Sequence, residues 1–458
     1  MKSWLASLAV YRDRRILAIL FMGFGSGLPL ALTGSTLSIW LKEVGVSLTA
    51  IGLFGLVGIA YTFKFLWAPL FDRPLPYVTR RLGRRRGWGL VLQIALAGAI
   101  FALGTVDPAA APARAAALAA LVAFLSASQD IVIDAMRVEL LADHEQGAGA
   151  AATQVGYRIA MIASTAGALF LAAAAGWFWT YAAMAAGIAI GTAALLSMRE
   201  PVSVQQRLAP GENWFAVMVI QPFADFLRRQ SAAAGSSDGR DGGAAFLWSA
   251  RRAFVVLIFV MLYKLGDAMA GHMSGPFYIT LGFSKEEIAS ITKVFGVVAS
   301  MLGIAAGGSV VYRLGLMRAL LACGVTQALA NLLYIAQAHA GHDLWMLTVT
   351  IGAENFAAGM GSAAFVAYLS SLCNRAFTAT QYALLSALAT VGRTTLSASG
   401  GWLIDQFGWV QFFLISTASA LPGLLLLLWL MRHGGAPASA GAATSAGPPD
   451  ASSAAPAA

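Results

Sequence analysis

The chain has 458 residues, of which 59% are hydrophobic and 11% are charged, and its mean hydropathy is +0.72. This composition exceeds that of a soluble domain and predicts a protein that crosses the membrane many times. The net charge of +9 does not indicate nucleic-acid binding, because the bases lie in loops between apolar runs, and two cysteines offer neither a disulfide framework nor a zinc set.

Twelve apolar segments each approach the roughly 20 residues that a helix needs to cross the hydrocarbon. They lie at 16–40, 51–71, 88–106, 114–136, 153–175, 177–197, 253–281, 289–311, 317–337, 344–370, 381–402 and 409–431. We therefore expect an all-α membrane protein with twelve transmembrane helices.

The polar stretches divide these segments into two sets of six. Residues 198–252 are basic and rich in Gly and Ser near their middle, which predicts a flexible cytoplasmic linker, and residues 434–458 have the composition of a disordered tail. The expected layout is one six-helix bundle at 1–197 and a second at 253–433.

Basic residues predict the orientation. If the N-terminus is cytoplasmic, that side holds the basic clusters at 2–15, 73–86 and 199–252, whereas the opposite loops hold only Lys42, Arg114 and Lys285. This asymmetry follows the positive-inside rule, and an even number of spans predicts that both termini are cytoplasmic.

The two halves repeat short sequence features in the same order. Gly45-Val-Ser-Leu-Thr-Ala-Ile51 after the first segment matches Gly282-Phe-Ser-Lys-Glu-Glu-Ile288 after the seventh, and Ala152-Thr-Gln154 matches Ala379-Thr-Gln381. Two similar halves around a central site are the architecture of secondary transporters, and this pattern favours the major facilitator superfamily.

Glycine and proline punctuate the first segment of each half. The first contains Gly23, Gly25, Gly27, Pro29 and Gly34, and the seventh contains Gly266, Gly271, Gly275 and Pro276. Two interpretations remain open: helices interrupted beside a substrate site, or helices packed closely through small residues.

A polar stripe interrupts the fourth segment. Asp130, Asp134 and Arg137 are spaced to share one helix face, where each ionisable group costs roughly 2.5–3.5 kcal/mol at the centre of a membrane helix. We expect Asp130 to carry the coupling proton and Asp134 to form a more structural pair with Arg137. The alternative is that the whole stripe is an intrahelical ion pair at the cytoplasmic end.

A second candidate for proton coupling lies in the seventh segment. Lys264 and Asp267 are three residues apart, so they can neutralise each other on a helix. A substrate carboxylate that competed for Lys264 would leave Asp267 free to take up a proton.

Further polar residues inside the apolar segments are candidates for substrate binding. Lysine and arginine are suited to anionic groups of a substrate, while amides and tyrosines can form hydrogen bonds with its neutral polar groups. For the tyrosines, core packing with a satisfied hydroxyl is the alternative. The candidates are Lys64, Gln129, Arg158, Tyr263, Lys264, Glu354, Asn355, Gln381 and Arg393.

The loop after the second segment is a candidate cytoplasmic gate. It contains Asp72 and Arg73, and then Arg84 and Arg85, and the Arg137 stripe ends at the same side. Acid and base there would lock the cytoplasmic face until the halves move apart, or would simply orient the helices.

Several sequence blocks carry a more specific resemblance. They are Ser26-Gly-Leu-Pro-Leu-Ala-Leu-Thr33, Lys64-Phe-Leu-Trp-Ala-Pro69, Gly83-Arg-Arg-Arg-Gly-Trp88, Ser126-Ala-Ser-Gln-Asp-Ile131, Tyr263-Lys-Leu-Gly-Asp-Ala268 and 373–387. Together they resemble the AmpG-type muropeptide permeases, which share a branch of the major facilitator superfamily with acetyl-CoA transporters.

The resemblance implies proton-driven import of N-acetylglucosaminyl-anhydro-N-acetylmuramyl peptides across a bacterial inner membrane, by rocking of the two halves. Such import feeds peptidoglycan recycling, and the imported species signal β-lactamase induction in bacteria that have that circuit. The implied partners are the anhydromuropeptide, protons and the lipid bilayer, with a monomeric protein and no cofactor.

Other functions remain open beside this one. The same fold could carry acetyl-CoA, a nucleotide-sugar conjugate or a small peptide, or the protein could be a receptor that does not transport. An ATP-driven pump is disfavoured because the sequence has no Gly-Lys-Ser/Thr motif, and a membrane enzyme is disfavoured because the five histidines are scattered.

Overall fold

Helices joined by short turns make up the described part of the chain. The computed structural model describes residues 10–46, 54–73, 81–201, 221, 224–226, 242–374, 377–397 and 400–433. The tail at 434–458, most of the linker at 198–252 and the side chain of Arg393 lie outside the described residues. The all-α prediction is confirmed.

The described helices of the first half are α1 (Arg14–Thr33), α2 (Ser35–Glu43), α3 (Ile59–Phe63), α4 (Arg84–Gly104), α5 (Pro112–Leu140), α6 (Gln146–Ile162), α7 (Ala168–Ala175) and α8 (Trp177–Ser197). Those of the second half are α9 (Gly242–Leu262), α10 (Leu265–Thr280), α11 (Lys285–Ser290), α12 (Val297–Leu314), α13 (Leu316–Ala340), α14 (Leu344–Leu372), α15 (Thr378–Ser397), α16 (Gly400–Ala418) and α17 (Ala420–His433). Single turns of 3₁₀ helix include Val10–Arg12, Lys64–Leu66 and Ala68–Asp72.

Nine helical stretches within the described residues are long and apolar enough to cross a membrane. They correspond to nine of the twelve predicted segments. The tenth and eleventh segments form α14 and α15, whereas the second is divided into short α and 3₁₀ turns between Gly55 and Asp72. The count of twelve spans and the cytoplasmic placement of both termini stay predictions.

Glycines let helices approach each other closely inside each half. A Cβ on Gly23 would collide with the carbonyl oxygen of Thr153, and one on Gly156 would collide with that of Leu20, so α1 and α6 cross at backbone contact. Close crossing through small residues is how membrane helices gain packing without a hydrophobic driving force. The packing interpretation is therefore supported for Gly23 and Gly27 of the first segment, whereas a Cβ on Gly271 or Gly275 of the seventh segment would meet no atom within 4 Å.

Both first segments are also interrupted. In the first half the chain breaks at Gly34, between α1 and α2, where φ is −105° and ψ is −109°. In the second half the break falls at Tyr263 and Lys264, between α9 and α10. The second break is not at a glycine or proline, so the sequence signal predicted an interruption there but not its position.

A carboxylate connects the end of α8 with the start of α4. Glu200 accepts hydrogen bonds from the backbone N–H groups of Arg85 at 2.7 Å and Arg86 at 3.0 Å. These N–H groups have no partner within their own helix, so Glu200 satisfies them and interacts favourably with the helix dipole. This cap orients the arginines at the start of α4.

Candidate functional site

Asp72 contacts the second half of the molecule. Its Oδ2 accepts hydrogen bonds from the Thr380 backbone N–H at 3.0 Å and the Thr380 hydroxyl at 2.7 Å, and its Oδ1 accepts one from the Ala379 N–H at 3.2 Å. These residues belong to the first turn of α15. A carboxylate there satisfies unpaired N–H groups, so Asp72 caps a helix of the opposite half.

Two arginines and a glutamate support Asp72 from its own half. Arg85 donates to Asp72 Oδ1 at 2.8 Å and to Glu139 Oε1 at 2.5 Å, and Arg84 donates to Glu139 at 3.1 Å. The Arg85 side chain is fully buried. The carbonyl of the neighbouring Arg73 accepts a hydrogen bond from the Trp88 ring at 2.7 Å. The predicted gate residues thus lie together.

Glu139 was missed at the sequence level. It comes two residues after Arg137, near the end of α5, and it holds both arginines of α4. An acid at the end of an apolar segment, facing a run of three arginines in another loop, is the signal that could have found it.

Arg137 makes a second contact between the halves. Its guanidinium donates to the Ser370 hydroxyl at 3.0 Å and lies 5.4 Å from the centre of the Tyr382 ring, both in the second half. It also donates to Asp134 at 3.4 Å, so the predicted i,i+3 pair is present. Arg137 is therefore shared between its own helix and α14 and α15.

Small residues close the same end between α6 and α12. A Cβ on Gly308 would collide with the Tyr11 hydroxyl and the Gly147 carbonyl oxygen, both in the first half. Tyr11 also donates to the Ala305 carbonyl at 2.9 Å. Together with Asp72 and Arg137, these contacts hold the halves together at the arginine-rich end.

Gln381 lies at this closed end, although it was predicted to bind substrate. Its Oε1 accepts the Asn374 N–H at 2.7 Å, and its Nε2 donates to Asp225 at 3.1 Å. The sequence match with Ala152-Thr-Gln154 predicted that Gln381 lies at the start of a helix. It could not predict that Asn374 and Asp225 would be its hydrogen-bond partners.

Asp130 and Lys64 form the polar centre of the first half. Lys64 begins a 3₁₀ turn where α3 ends at Phe63, and its charge interacts with that of Asp130. The Asp130 carboxyl is buried and interacts with the Ser26 side chain, while its Oδ1 atom has no hydrogen-bond partner within the described residues. Asp130 therefore keeps an unsatisfied acceptor, whereas Asp134 is paired with Arg137.

Lys264 is the polar centre of the second half. It occupies the break between α9 and α10, where its Nζ lies 2.8 Å from Asp267 Oδ2 and donates to the Ala358 carbonyl at 3.3 Å. The predicted pair with Asp267 is present. Glu354 on α14 interacts with both of these charges, so three ionisable groups meet there.

Arg158 brings a charge from the first half to this cluster. It lies on α6, is exposed, and interacts electrostatically with Glu354 and Asp267 of the second half. Asn355 follows Glu354 on α14 and donates to the Ile351 carbonyl at 3.0 Å. This electrostatic interaction links the first half of the chain to the charged cluster of the second half.

Two predicted binding residues lie in packed positions. The Tyr263 hydroxyl donates to the Leu320 carbonyl at 2.9 Å, and its ring stacks on Phe365 with centroids 5.3 Å apart. Gln129 is fully buried and donates to the Gly25 carbonyl at 2.9 Å. Tyr263 is thus satisfied within the protein and its position favours packing, whereas Gln129 Oε1 is buried without a hydrogen-bond partner within the described residues.

The chain matches two family models. Residues 256–454 match the Major Facilitator Superfamily, and residues 15–110 match Acetyl-coenzyme A transporter 1. The chain is 40% identical over 423 residues to the anhydromuropeptide permease of Escherichia coli (strain K12), covering 92% of this chain and 80% of that protein. It is 34% identical over 426 residues to putative transporter AmpG 4 of Rickettsia conorii, covering 92% and 97%.

Solved structures share its fold. A bacterial homologue of the iron transporter ferroportin in its outward-facing state superposes with a TM-score of 0.63 at 14% identity, over 92% of this chain and 98% of that one. The proton:xylose symporter XylE of the major facilitator superfamily superposes with a TM-score of 0.59 at 14% identity, over 94% and 96%. At these identities the likeness shows the fold alone.

Proposed function

Because the chain belongs to the anhydromuropeptide permease family of the major facilitator superfamily, we propose that it imports N-acetylglucosaminyl-anhydro-N-acetylmuramyl peptides across the bacterial inner membrane by proton symport. The observation that carries this proposal is the meeting of charges from both halves inside an apolar bundle. The charge of Arg158 in the first half interacts with those of Glu354 and Asp267 in the second. Such groups are costly in a membrane and mark transport pathways.

The cations of this interior are the proposed sites for the carboxylates of the peptide stem. Lys64, Arg158 and Lys264 come from separate parts of the chain around the proposed pathway, so they can bind one extended substrate that carries several charges. Asn355 and Glu354 offer groups for sugar hydroxyls, and Arg393 stays a proposal from the sequence. This transport leaves the substrate chemically unchanged and uses no cofactor.

Proton coupling would follow from competition between the substrate carboxylate and Asp267 for Lys264. A substrate carboxylate that draws Lys264 away leaves Asp267 as an unpaired charge in an apolar environment, which favours its protonation. Asp130 is the favoured proton carrier in the first half, because its Oδ1 has no hydrogen-bond partner within the described residues while Asp134 is held by Arg137.

The closed arginine-rich end supports alternating access. Opening it requires that Asp72 release α15, that Arg137 release Ser370, and that α6 separate from α12. With both termini in the cytoplasm, this end is cytoplasmic, and twelve spans, the 198–252 linker and the 434–458 tail complete the proposed layout. A monomer suffices, since each half supplies part of the pathway. In bacteria with the inducible circuit, the imported species would induce β-lactamase.

Acetyl-CoA is a second candidate substrate, because residues 15–110 match the acetyl-coenzyme A transporter model. Its phosphates would pair with the same cations as stem carboxylates do. Only the anhydromuropeptide carries amino-sugar acetamido groups that Asn355 and Glu354 would bind. Measuring uptake of each compound therefore distinguishes the two candidates.

Proteoliposomes with an imposed proton gradient test the proposal. We expect labelled anhydromuropeptide to accumulate, an uncoupler to abolish the accumulation, and Arg158→Met to reduce uptake, while Arg318→Met, at an exposed arginine of α13, leaves uptake unchanged. Accumulation of acetyl-CoA without anhydromuropeptide would select the second candidate. Binding of the anhydromuropeptide without any uptake would indicate a receptor and contradict both.

A further inference from the structure

A groove between α1 and α8 opens on the outer face of the first half, away from the transport pathway. Its cavity is about 520 Å³, within the roughly 300–1,000 Å³ typical of ligand pockets. It lies at the arginine-rich end, where α1 begins and α8 ends. Residues that line it include Arg14, Leu17, Phe21, Ile190, Ala193 and Ser197.

The walls of this groove face the bilayer. Leu17, Phe21 and Ile190 are 45%, 47% and 44% exposed, so their side chains project outward rather than into the core. Phe21 is seven residues along α1 from Arg14, which is about 10 Å at the rise of an α-helix. The groove therefore runs from a charged edge into the apolar depth of the membrane.

Cations without a protein partner lie at the edge of the groove. Arg14 is exposed at its mouth, and Arg199 is exposed two residues beyond Ser197. Within the described residues neither of these arginines forms an ion pair, whereas their neighbour Arg15 pairs with Asp13 at 2.8 Å and Glu145 at 2.7 Å. A cation at this depth attracts anionic headgroups of the adjoining leaflet.

We propose that this groove is a binding site for one anionic phospholipid. The phosphate contacts Arg14, with Arg199 beside it, and an acyl chain lies along Leu17, Phe21 and Ile190. A small soluble anion would leave the apolar walls unused, and a zwitterionic lipid would bring a second cation next to Arg14. The combination of an unpaired cation and a laterally open apolar channel therefore selects a lipid with a negative headgroup.

Native mass spectrometry of the full chain in mixed micelles tests this site. The probes are phosphatidylglycerol and phosphatidylcholine with identical acyl chains. We expect selective retention of phosphatidylglycerol and a loss of about fivefold in its affinity for Arg14→Gln, from the contribution of one basic residue near the membrane surface. Ala193→Phe, which fills the groove without changing charge, should weaken binding as well.

Arg318→Gln is the matched control, because it removes an exposed arginine at the same end but far from the groove. Equal losses for Arg14→Gln and Arg318→Gln would mean that only diffuse charge attracts the lipid, and would overturn the proposal. So would equal retention of phosphatidylcholine, or equal competition by glycerophosphoglycerol, which lacks acyl chains. Thermal unfolding of each variant identifies any change that comes from loss of the fold.

Discussion

Asp72 binds Thr380 through both the backbone N–H and the hydroxyl, so a loop of the first half caps a helix of the second. The same carboxylate also accepts from Arg85, which stays within the first half. When the halves separate, Asp72 keeps one partner and loses the other, while the first turn of α15 loses its cap. This contact therefore stabilises the form in which the arginine-rich end is closed relative to the form in which it is open.

Asp72→Asn should weaken that closure. The amide keeps the size of the side chain but loses the charge that interacts with Arg85 and with the α15 dipole. Loss of about 1.5 kcal/mol, the lower range for hydrogen bonds to charged groups, would shift the ratio of open to closed molecules about tenfold. Distances between spin labels at positions 197 and 318, measured by pulsed electron paramagnetic resonance, report this change in the ratio of open to closed molecules.

Asp143→Asn is the control for this experiment. Asp143 is exposed near the same end, in the 3₁₀ turn Asp143–Glu145, so its replacement removes one acid without touching α15. If Asp143→Asn opened the molecule as much as Asp72→Asn, then the net charge of this end, rather than the cap, would control closure.

Two glycines of α12 should respond differently to alanine. A Cβ on Gly308 would collide with Tyr11 and Gly147 across the closed end, whereas one on Gly303 would collide with the backbone of Phe356 within the same half. Overpacking costs about 1–3 kcal/mol. Gly308→Ala should favour the open form with little change in Tm, and Gly303→Ala should lower Tm by roughly 1 °C per kcal/mol for a chain of this length.

The same spin-label distances, together with thermal unfolding, distinguish the two glycine variants. An unchanged distance distribution in Gly308→Ala would show that side chains at the crossing of α6 and α12 rearrange without the two helices moving apart. That result would contradict the role assigned to this crossing.

Asp130→Asn should uncouple transport from protons. We expect proton-driven accumulation to fall to the level seen with an uncoupler, while counterflow exchange of substrate persists, because the substrate cations are intact. Asp134→Asn should instead impair closure, since it releases Arg137. Accumulation by Asp130→Asn with the pH dependence of the unaltered protein would eliminate Asp130 as the proton carrier.

Outside the membrane segments, Glu287 provides a pH-dependent cap. Hydrogen bonds with the backbone N–H and side chain of Ser284, and then with His342, hold the pKa of Glu287 below its usual value. The stabilisation is present above the unfolded-state pKa of about 4.3 and is lost as pH falls through the lower folded-state pKa.

Carboxyl NMR titration measures this effect. Ser284→Ala keeps the backbone N–H but removes the side-chain contact, so it should raise the pKa of Glu287 part of the way toward its usual value; His342→Gln should raise it less, because the His342 contact is a smaller cause than the Ser284 side chain. A larger rise for His342→Gln would show that the histidine, not the helix cap, controls the titration of Glu287.

Contacts between residues three apart were predictable from the sequence. Asp134 pairs with Arg137 inside α5, and Lys264, at the start of α10, pairs with Asp267. Helical periodicity alone places such residues on one face. The same reasoning could not find Glu139, because its partners Arg84 and Arg85 come from another helix.

Spacing along the chain also cannot tell which side of a helix faces the pathway. Tyr263 and Gln129 lie in polar blocks like their neighbours, yet one packs on Phe365 and the other binds the Gly25 carbonyl. Their partners are remote in sequence, so packing decided what the pattern left open.

The sequence by itself determined the helical membrane architecture, because hydrophobic length and periodicity are local properties; the division at 198–252 and the role of Asp130 stay predictions. Only the tertiary structure decided that Asp72 caps α15, that Arg137 reaches Ser370, and that the charge of Arg158 interacts with that of Glu354. These relationships join residues on different helices, and the way in which helices pack against one another depends on the surfaces of both partners.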